Sequence, residues 1–188
     1  MINNISSLIQ SQIEQLQKEK TPLLIAVDGR CAAGKTTLAC QLQEKMCCNV
    51  FHMDDFFLPP KLRTEERIAQ PGGNVDYERF CSEVLLPVLS GEPFSYRPYS
   101  CHLQRLTEPV FVTPKPMSII EGSYSCHPYL WDYYDLRIFL DIERTKQLKR
   151  IQERNGAKQL KIFRDLWIPL EEKYFSAFEI QKRCDLSF

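Results

Sequence analysis

An apolar run, LLIAV from Leu23 to Val27, leads straight into DGRCAAGKTT, Asp28 to Thr37. No other stretch limits the fold so sharply. Gly29-Arg30-Cys31-Ala32-Ala33-Gly34-Lys35-Thr36 satisfies G-x-x-x-x-G-K-[ST], in a chain with only 7 glycines among 188 residues. A loop of this pattern wraps a phosphate so that successive backbone N–H groups point inward, and glycines permit the tight path. The helix that follows offers its N-terminus to the same anion. Lys35 is then expected on the β- and γ-phosphates, and the Thr36 hydroxyl, a hard oxygen, on Mg²⁺. Residues Gly29 to Thr37 are thus read as the cradle of a nucleoside triphosphate. A glycine turn with a surface lysine is the alternative, but a buried strand before and a helix after favour the cradle.

Strands alternating with helices predict an α/β fold with a parallel sheet. Leu23–Val27 is apolar throughout, as a strand buried on both faces must be. Asn49–His52, Pro116–Glu121 (PMSIIE) and Leu136–Leu140 are further strand candidates, and Cys184–Phe188 a last short one. Ile5, Leu8, Ile9, Ile13 and Leu16 recur at helical spacing, predicting an amphipathic helix over residues 1–20. Thr36–Met46 and Tyr77–Leu89 read as helices. So does Glu143–Arg154, stopped at Asn155-Gly156, and then 159–180 with a break at Pro169. The breaker-rich segment 59–74 reads as a long mobile loop. Residues of about 91–114, with Pro93, Pro98 and Pro109, form an insertion over one end of the sheet. The length fits a single domain, 1–188.

Lys+Arg and Asp+Glu both number 24, so no basic excess points to nucleic acid or a membrane surface. No run approaches a membrane span. The eight cysteines form no CxxC pair and follow no secretory signal, which predicts reduced thiols in a cytoplasmic protein. Cys31, inside the phosphate loop beside Lys35 and a helix N-terminus, is expected to have a lowered pKa and mild oxidation sensitivity.

Transfer of a γ-phosphate to a small-molecule hydroxyl needs a carboxylate at the acceptor, an acid near Mg²⁺ and cations over the moving group. Asp54 ends the second strand, where open α/β sheets place ligands, and is either that base or a helix cap. Glu121 ends MSIIE and is either a Walker-B-like acid or an ordinary strand-end carboxylate. Arg150 and Arg154 share a helix face, either as lid cations or as a solvated surface. Tyr99 and His102 follow a proline-rich stretch and either contact substrate or pack.

Taken in order, GRCAAGKTT, HMDDFF, GNVDYERF, RPYSCH, IIEGSY and RIQERNG resemble the uridine kinase branch of small P-loop kinases, from about Leu23 to Phe188. Phosphoribulokinase and pantothenate kinase are wider relatives of that branch. The resemblance implies a three-layer α/β/α P-loop fold with a five-stranded parallel sheet, a substrate-covering insertion and a helical lid at about 143–160. It implies ATP and Mg²⁺, with Asp54 as acceptor base, Glu121 at the metal, Asp76 on a ribose diol, and Arg150 and Arg154 in the lid. It implies uridine or cytidine as the small-molecule acceptor. The alternatives are another hydroxyl metabolite, or a nucleotide-binding regulatory module without phosphotransfer. The N-terminal helix and the insertion offer faces for a homo-oligomer. The sequence departs from the branch at Asp55, where a serine is usual, and at Tyr77-Glu78, where the branch has His-Pro.

Overall fold

The computed structural model describes residues 2–188, with side chains described from residue 5 onward. In chain order the helices are α1 (Ile2–Leu16), α2 (Lys35–Lys45), α3 (Glu65–Ala69), α4 (Tyr77–Phe80), α5 (Leu86–Ser90), α6 (Arg144–Ile162), α7 (Ile168–Ala177) and α8 (Ile180–Arg183). The strands are β1 (Leu23–Gly29), β2 (Cys48–His52), β3 (Phe94–Tyr96), β4 (Tyr99–Ser100), β5 (Arg105–Leu106), β6 (Val110–Val112), β7 (Met117–Glu121), β8 (Leu136–Leu140) and β9 (Leu186–Ser187). Five of them form one sheet in the order β2-β7-β1-β8-β9, and every neighbouring pair is parallel.

Alternation along β1 explains the three layers. Leu23, Ile25 and Val27 face a core shared with Ile9, Ile13, Leu38 and Leu42 of α1 and α2. Leu24 and Ala26 face the opposite core, with Phe51, Phe56, Phe80, Phe139 and Tyr174. Successive side chains of a strand point to opposite faces, so a central strand covered on both sides must be apolar at every position. Asp28, wholly buried in this run, is the exception.

Two π-helical turns, Cys81–Leu85 and Phe163–Trp167, lead into α5 and α7. Each stands two residues before a proline, Pro87 or Pro169, which lies in the first turn of the helix that follows. Proline has no N–H to continue the regular ladder, and a widened turn absorbs the missing bond. The expected break at Pro169 is therefore a change of helical register inside a continuous rod. At Gly156 the chain adopts φ 80° and ψ 168°, so the expected stop at Asn155-Gly156 is a kink between two helical segments.

The segment 59–74 differs from its reading as a mobile loop. It holds a 3-10 turn, Pro60–Leu62, and α3, whose N-cap Thr64 accepts from Arg67 N–H. The Arg67 guanidinium grips Glu78 with two bonds of 2.6 Å, donates to Gly73 O and Val75 O at 3.1 Å, and stacks on Tyr77 at 4.2 Å. Residues 94–112 hold two small antiparallel pairs, β3–β6 and, between those strands in the chain, β4–β5. No helix of the described residues is long and apolar enough to cross a membrane.

Candidate active site

The carboxyl ends of β1, β2 and β7 converge, as expected of ligand sites in open parallel sheets. Beyond β1 the loop 29–34 bends through positive φ at Gly29 (131°), Ala32 (63°) and Gly34 (107°). A Cβ on Gly29 would stand 2.1 Å from Leu140 O, so only glycine fits against β8. Lys35, the first residue of α2, is buried. Its Nζ donates to Gly29 O (2.7 Å), Arg30 O (3.0 Å) and Ser123 Oγ (3.3 Å), which holds the ammonium across the loop.

The loop is clamped from behind by α7. Glu172 accepts from Arg30 Nε at 2.6 Å and from its Nη2 at 3.0 Å, and Asp141 also pairs with Arg30. These acids raise the guanidinium pKa above its ordinary value. Glu171, buried, accepts from Cys31 N–H at 3.1 Å and from Ser123 Oγ at 2.7 Å. Asp28 accepts from the backbone N–H groups of Gly29 (2.7 Å), Tyr124 (3.1 Å) and Cys126 (2.9 Å), and from Tyr174 Oη (2.8 Å). Burial pushes its pKa up to about 6, while these donors pull toward the anion. One buried carboxylate thus ties β1, the 122–127 turn and α7 together. Sequence reasoning missed Asp28, Ser123, Glu171 and Glu172. An acid interrupting a fully apolar strand was the signal for Asp28; nothing local marked the others.

Cys31 corrects an expectation. Burial, then Glu171, pushes its thiol up to about 12, and Gln147 Nε2 lies 3.3 Å from its sulfur. A thiol so far from ionising is not a reactive one.

Glu121, buried at the end of β7, accepts the Thr36 hydroxyl at 3.0 Å on Oε1, and His52 Nδ1 lies 2.5 Å from the same oxygen. That hydrogen bond, then burial in opposition, leaves the His52 pKa raised from 6.5. Gly122 follows with φ 134°, and a Cβ there would stand 2.9 Å from Met53 Cβ. This close approach sets the 3-10 turn Met53–Phe56, and Asp54 on it, beside Glu121. Among the described residues no three His, Cys, Asp or Glu side chains form a metal cage. The hydroxyl and carboxylate of Thr36 and Glu121 instead suit Mg²⁺, which takes few protein oxygens and completes its shell with phosphate and water.

A cavity of about 810 Å³ opens over these groups. Asp54 lines it as an exposed residue, although neighbouring protein atoms partly desolvate its carboxylate. That desolvation raises its pKa, with Lys35 opposing and Glu121 reinforcing. It has no salt-bridge partner within 4 Å among the described residues. From α6 come Arg150, which donates to Ala32 O at 3.0 Å, and Arg154, one turn on. Phe57 and Trp167, their rings 6.0 Å apart, form an aromatic wall with Phe163. Tyr99 also lines the cavity. Asp76 and His102 are not brought there. Asp76 caps α4, accepting from Arg79 N–H at 3.2 Å, and its other oxygen faces Arg79 Nε at 3.5 Å. His102 is exposed in the β4–β5 turn.

Comparison with solved structures decides the fold. A possible uridine kinase from Bacillus stearothermophilus superposes with a TM-score of 0.66 at 21% identity, covering 96% of this chain and 98% of the other. A candidate fructose transport system kinase from Silicibacter gives a TM-score of 0.71 at 20% identity, covering 97% and 98%. The chain has the P-loop kinase fold. A D-glycerate 3-kinase from Cryptococcus neoformans shares it at lower similarity, with a TM-score of 0.59, 17% identity and coverage of 92% and 87%. No protein-family model and no curated protein matches the sequence.

Proposed function

We propose that the chain is an ATP-dependent kinase that phosphorylates a hydroxyl of a small molecule. One observation carries the reading: an unpaired Asp54 with a raised pKa lies in the same cavity as Lys35, Thr36, Glu121 and two arginines. A simple nucleotide-binding module has no use for a desolvated acid there. The acceptor hydroxyl oxygen attacks the γ-phosphorus, its proton passes to the Asp54 carboxylate, and the bond to the β-phosphate oxygen breaks, releasing ADP. Lys35 and the N–H groups of the 29–37 loop that no protein acceptor takes, those of Ala32 and Gly34 to Thr37, hold the phosphates in line. Arg150 and Arg154 stabilise charge on the moving group. Thr36 and Glu121 would hold Mg²⁺, which would offset the charge of the phosphates. The whole chain acts as one kinase domain in the cytoplasm, with 91–114 covering the acceptor and 143–160 serving as lid, so that water is kept from the γ-phosphate.

The acceptor is a hydroxyl metabolite, and the uridine or cytidine reading is the weaker one. That reading came from the likeness to the uridine kinase branch; of the residues it expected on the nucleoside, Asp54 and Tyr99 line the cavity and Asp76 and His102 do not. The test is ADP release with Mg·ATP across uridine, cytidine, pantothenate, nicotinamide riboside, glycerate and ribulose 5-phosphate, with Lys35→Ala as blank. One acceptor raising release far above the acceptor-free rate supports the reading. A rate identical with and without every acceptor contradicts it.

A further inference from the structure

The cavity wall holds four cations, Lys35, Arg63, Arg150 and Arg154, against three carboxylates, Asp54, Glu121 and Glu171. Three of the cations have work on the nucleotide side: Lys35 and Arg150 bond the phosphate loop directly, and Arg154 follows Arg150 on α6. Arg63 does not belong to that set. It comes from the segment just after the Asp54 turn, beyond Phe57 and Pro60. Its Nε donates to Leu58 O at 2.6 Å, which fixes the plane of the guanidinium. Leu58 is itself held by Asn74 O at 2.9 Å. Among the described residues the two terminal nitrogens of Arg63 have no hydrogen-bond partner, and no carboxylate lies within 4 Å of its guanidinium.

A second observation points the same way. Tyr99, 4% exposed, lines this cavity, and its hydroxyl is buried without a hydrogen-bond partner. A buried hydroxyl left unpaired costs about 1–3 kcal/mol unless a ligand supplies the bond. The Cys101 thiol, on the same wall, ties the positions together. Burial raises its pKa, Arg63 lowers it and Asp54 raises it, so both charges reach this thiol. A fixed cation, an unpaired hydroxyl and the candidate base therefore share the acceptor end.

Resting on the kinase reading, we infer that the acceptor is a hydroxy acid or hydroxy phosphate whose anionic group binds the Arg63 fork and the Tyr99 hydroxyl while its alcohol faces Asp54. A planar guanidinium with two free N–H edges matches a carboxylate or phosphate in a way that a neutral sugar or base does not. The Phe57–Trp167 wall then covers the carbon skeleton.

Matched pairs test this: D-glycerate with glycerol, pantothenate with panthenol, and ribulose 5-phosphate with ribulose. The first two separate carboxylate from phosphate recognition. In the native protein the anionic member of at least one pair should give the higher kcat/KM. Arg63→Gln should reduce that anionic preference on the order of 10- to 100-fold, mainly through KM, and Arg63→Lys should restore part of it. MgADP binding by calorimetry shows that each variant has folded. A native enzyme that prefers the neutral partners, or a preference that Arg63→Gln leaves unchanged, overturns the inference while leaving the kinase reading standing. If neither these compounds nor the wider acceptor panel accepts phosphate, the kinase reading fails. Binding of the three anions with MgADP present, native against Arg63→Gln, then decides the inference: Arg63-dependent binding supports it, and its absence overturns it.

Discussion

The two ends of the cavity are built on opposite terms. At the phosphate end nearly every polar group is tied to protein: Lys35 to two loop carbonyls, Thr36 to Glu121, Arg30 to Glu172, and Cys31 N–H to Glu171. At the acceptor end Asp54 has no ion-pair partner, Tyr99 Oη has no hydrogen bond, and Arg63 is held by one nitrogen. A site that must grip the same triphosphate every cycle gains from being prebuilt, because ordering costs are then met during folding. The end that discriminates among acceptors keeps polar groups that only a correct partner satisfies.

That contrast can be broken by mutation. The largest effect is expected at the prebuilt end. Lys35→Ala removes the one ammonium inside the loop and should lower ATP turnover by on the order of 10²–10³-fold or more, read as ADP release. Activity within tenfold of native would mean that the loop is not the phosphate site.

Next comes the buried anchor behind the loop. Asp28→Asn turns an acceptor of four hydrogen bonds into a group that must aim N–H at a donor. A loss of about 1–3 kcal/mol in denaturant unfolding is expected, since a buried donor left unmatched costs about that much. Unchanged stability would show that the 122–127 turn and α7 are held by other contacts.

A smaller effect concerns pH. The His52 pKa is raised above its ordinary 6.5, chiefly by its hydrogen bond to Glu121. A histidine so raised contributes stability that is fully present below pH 6.5 and lost as pH rises through its folded value. The His52 side chain is 43% exposed, so the energetic effect is screened and small. NMR should show its midpoint above 6.5, moving back toward 6.5 in Glu121→Gln. A midpoint at or below 6.5 in the native protein would remove this pair from the account.

The smallest effect is at Cys31. With its thiol pushed up to about 12, almost no thiolate exists near neutral pH. Peroxide should inactivate the native protein and Cys31→Ala equally. Selective protection by the alanine would restore the reactive-thiol reading.

What could be read in the sequence follows the same division. The phosphate loop is contiguous, so LLIAVDGRCAAGKTT displayed strand, loop and helix together, and MSIIE displayed the strand that ends in Glu121. A parallel α/β sheet followed from apolar runs such as those of β1 and β7, buried at every position, while its count of five strands came from the family likeness. Groups that meet only after folding left little trace: Glu171 lies 140 residues from Cys31, and Arg63 sits in a segment whose short helices rest on side-chain bonds to backbone rather than on a periodic apolar face. Asp76 shows the opposite case. Its surroundings match a substrate-binding pattern, but a residue just before a helix is equally suited to cap it, and here it does.

The central claim is that Asp54 accepts the proton from an acceptor hydroxyl. Its most direct test is Asp54→Asn, with MgATP affinity measured by calorimetry alongside acceptor-dependent ADP release for whichever acceptor the native protein uses. The account predicts ATP binding close to native and acceptor-dependent turnover reduced by about 10²–10⁴-fold. Turnover retained within a few-fold, with ATP binding intact, would contradict it.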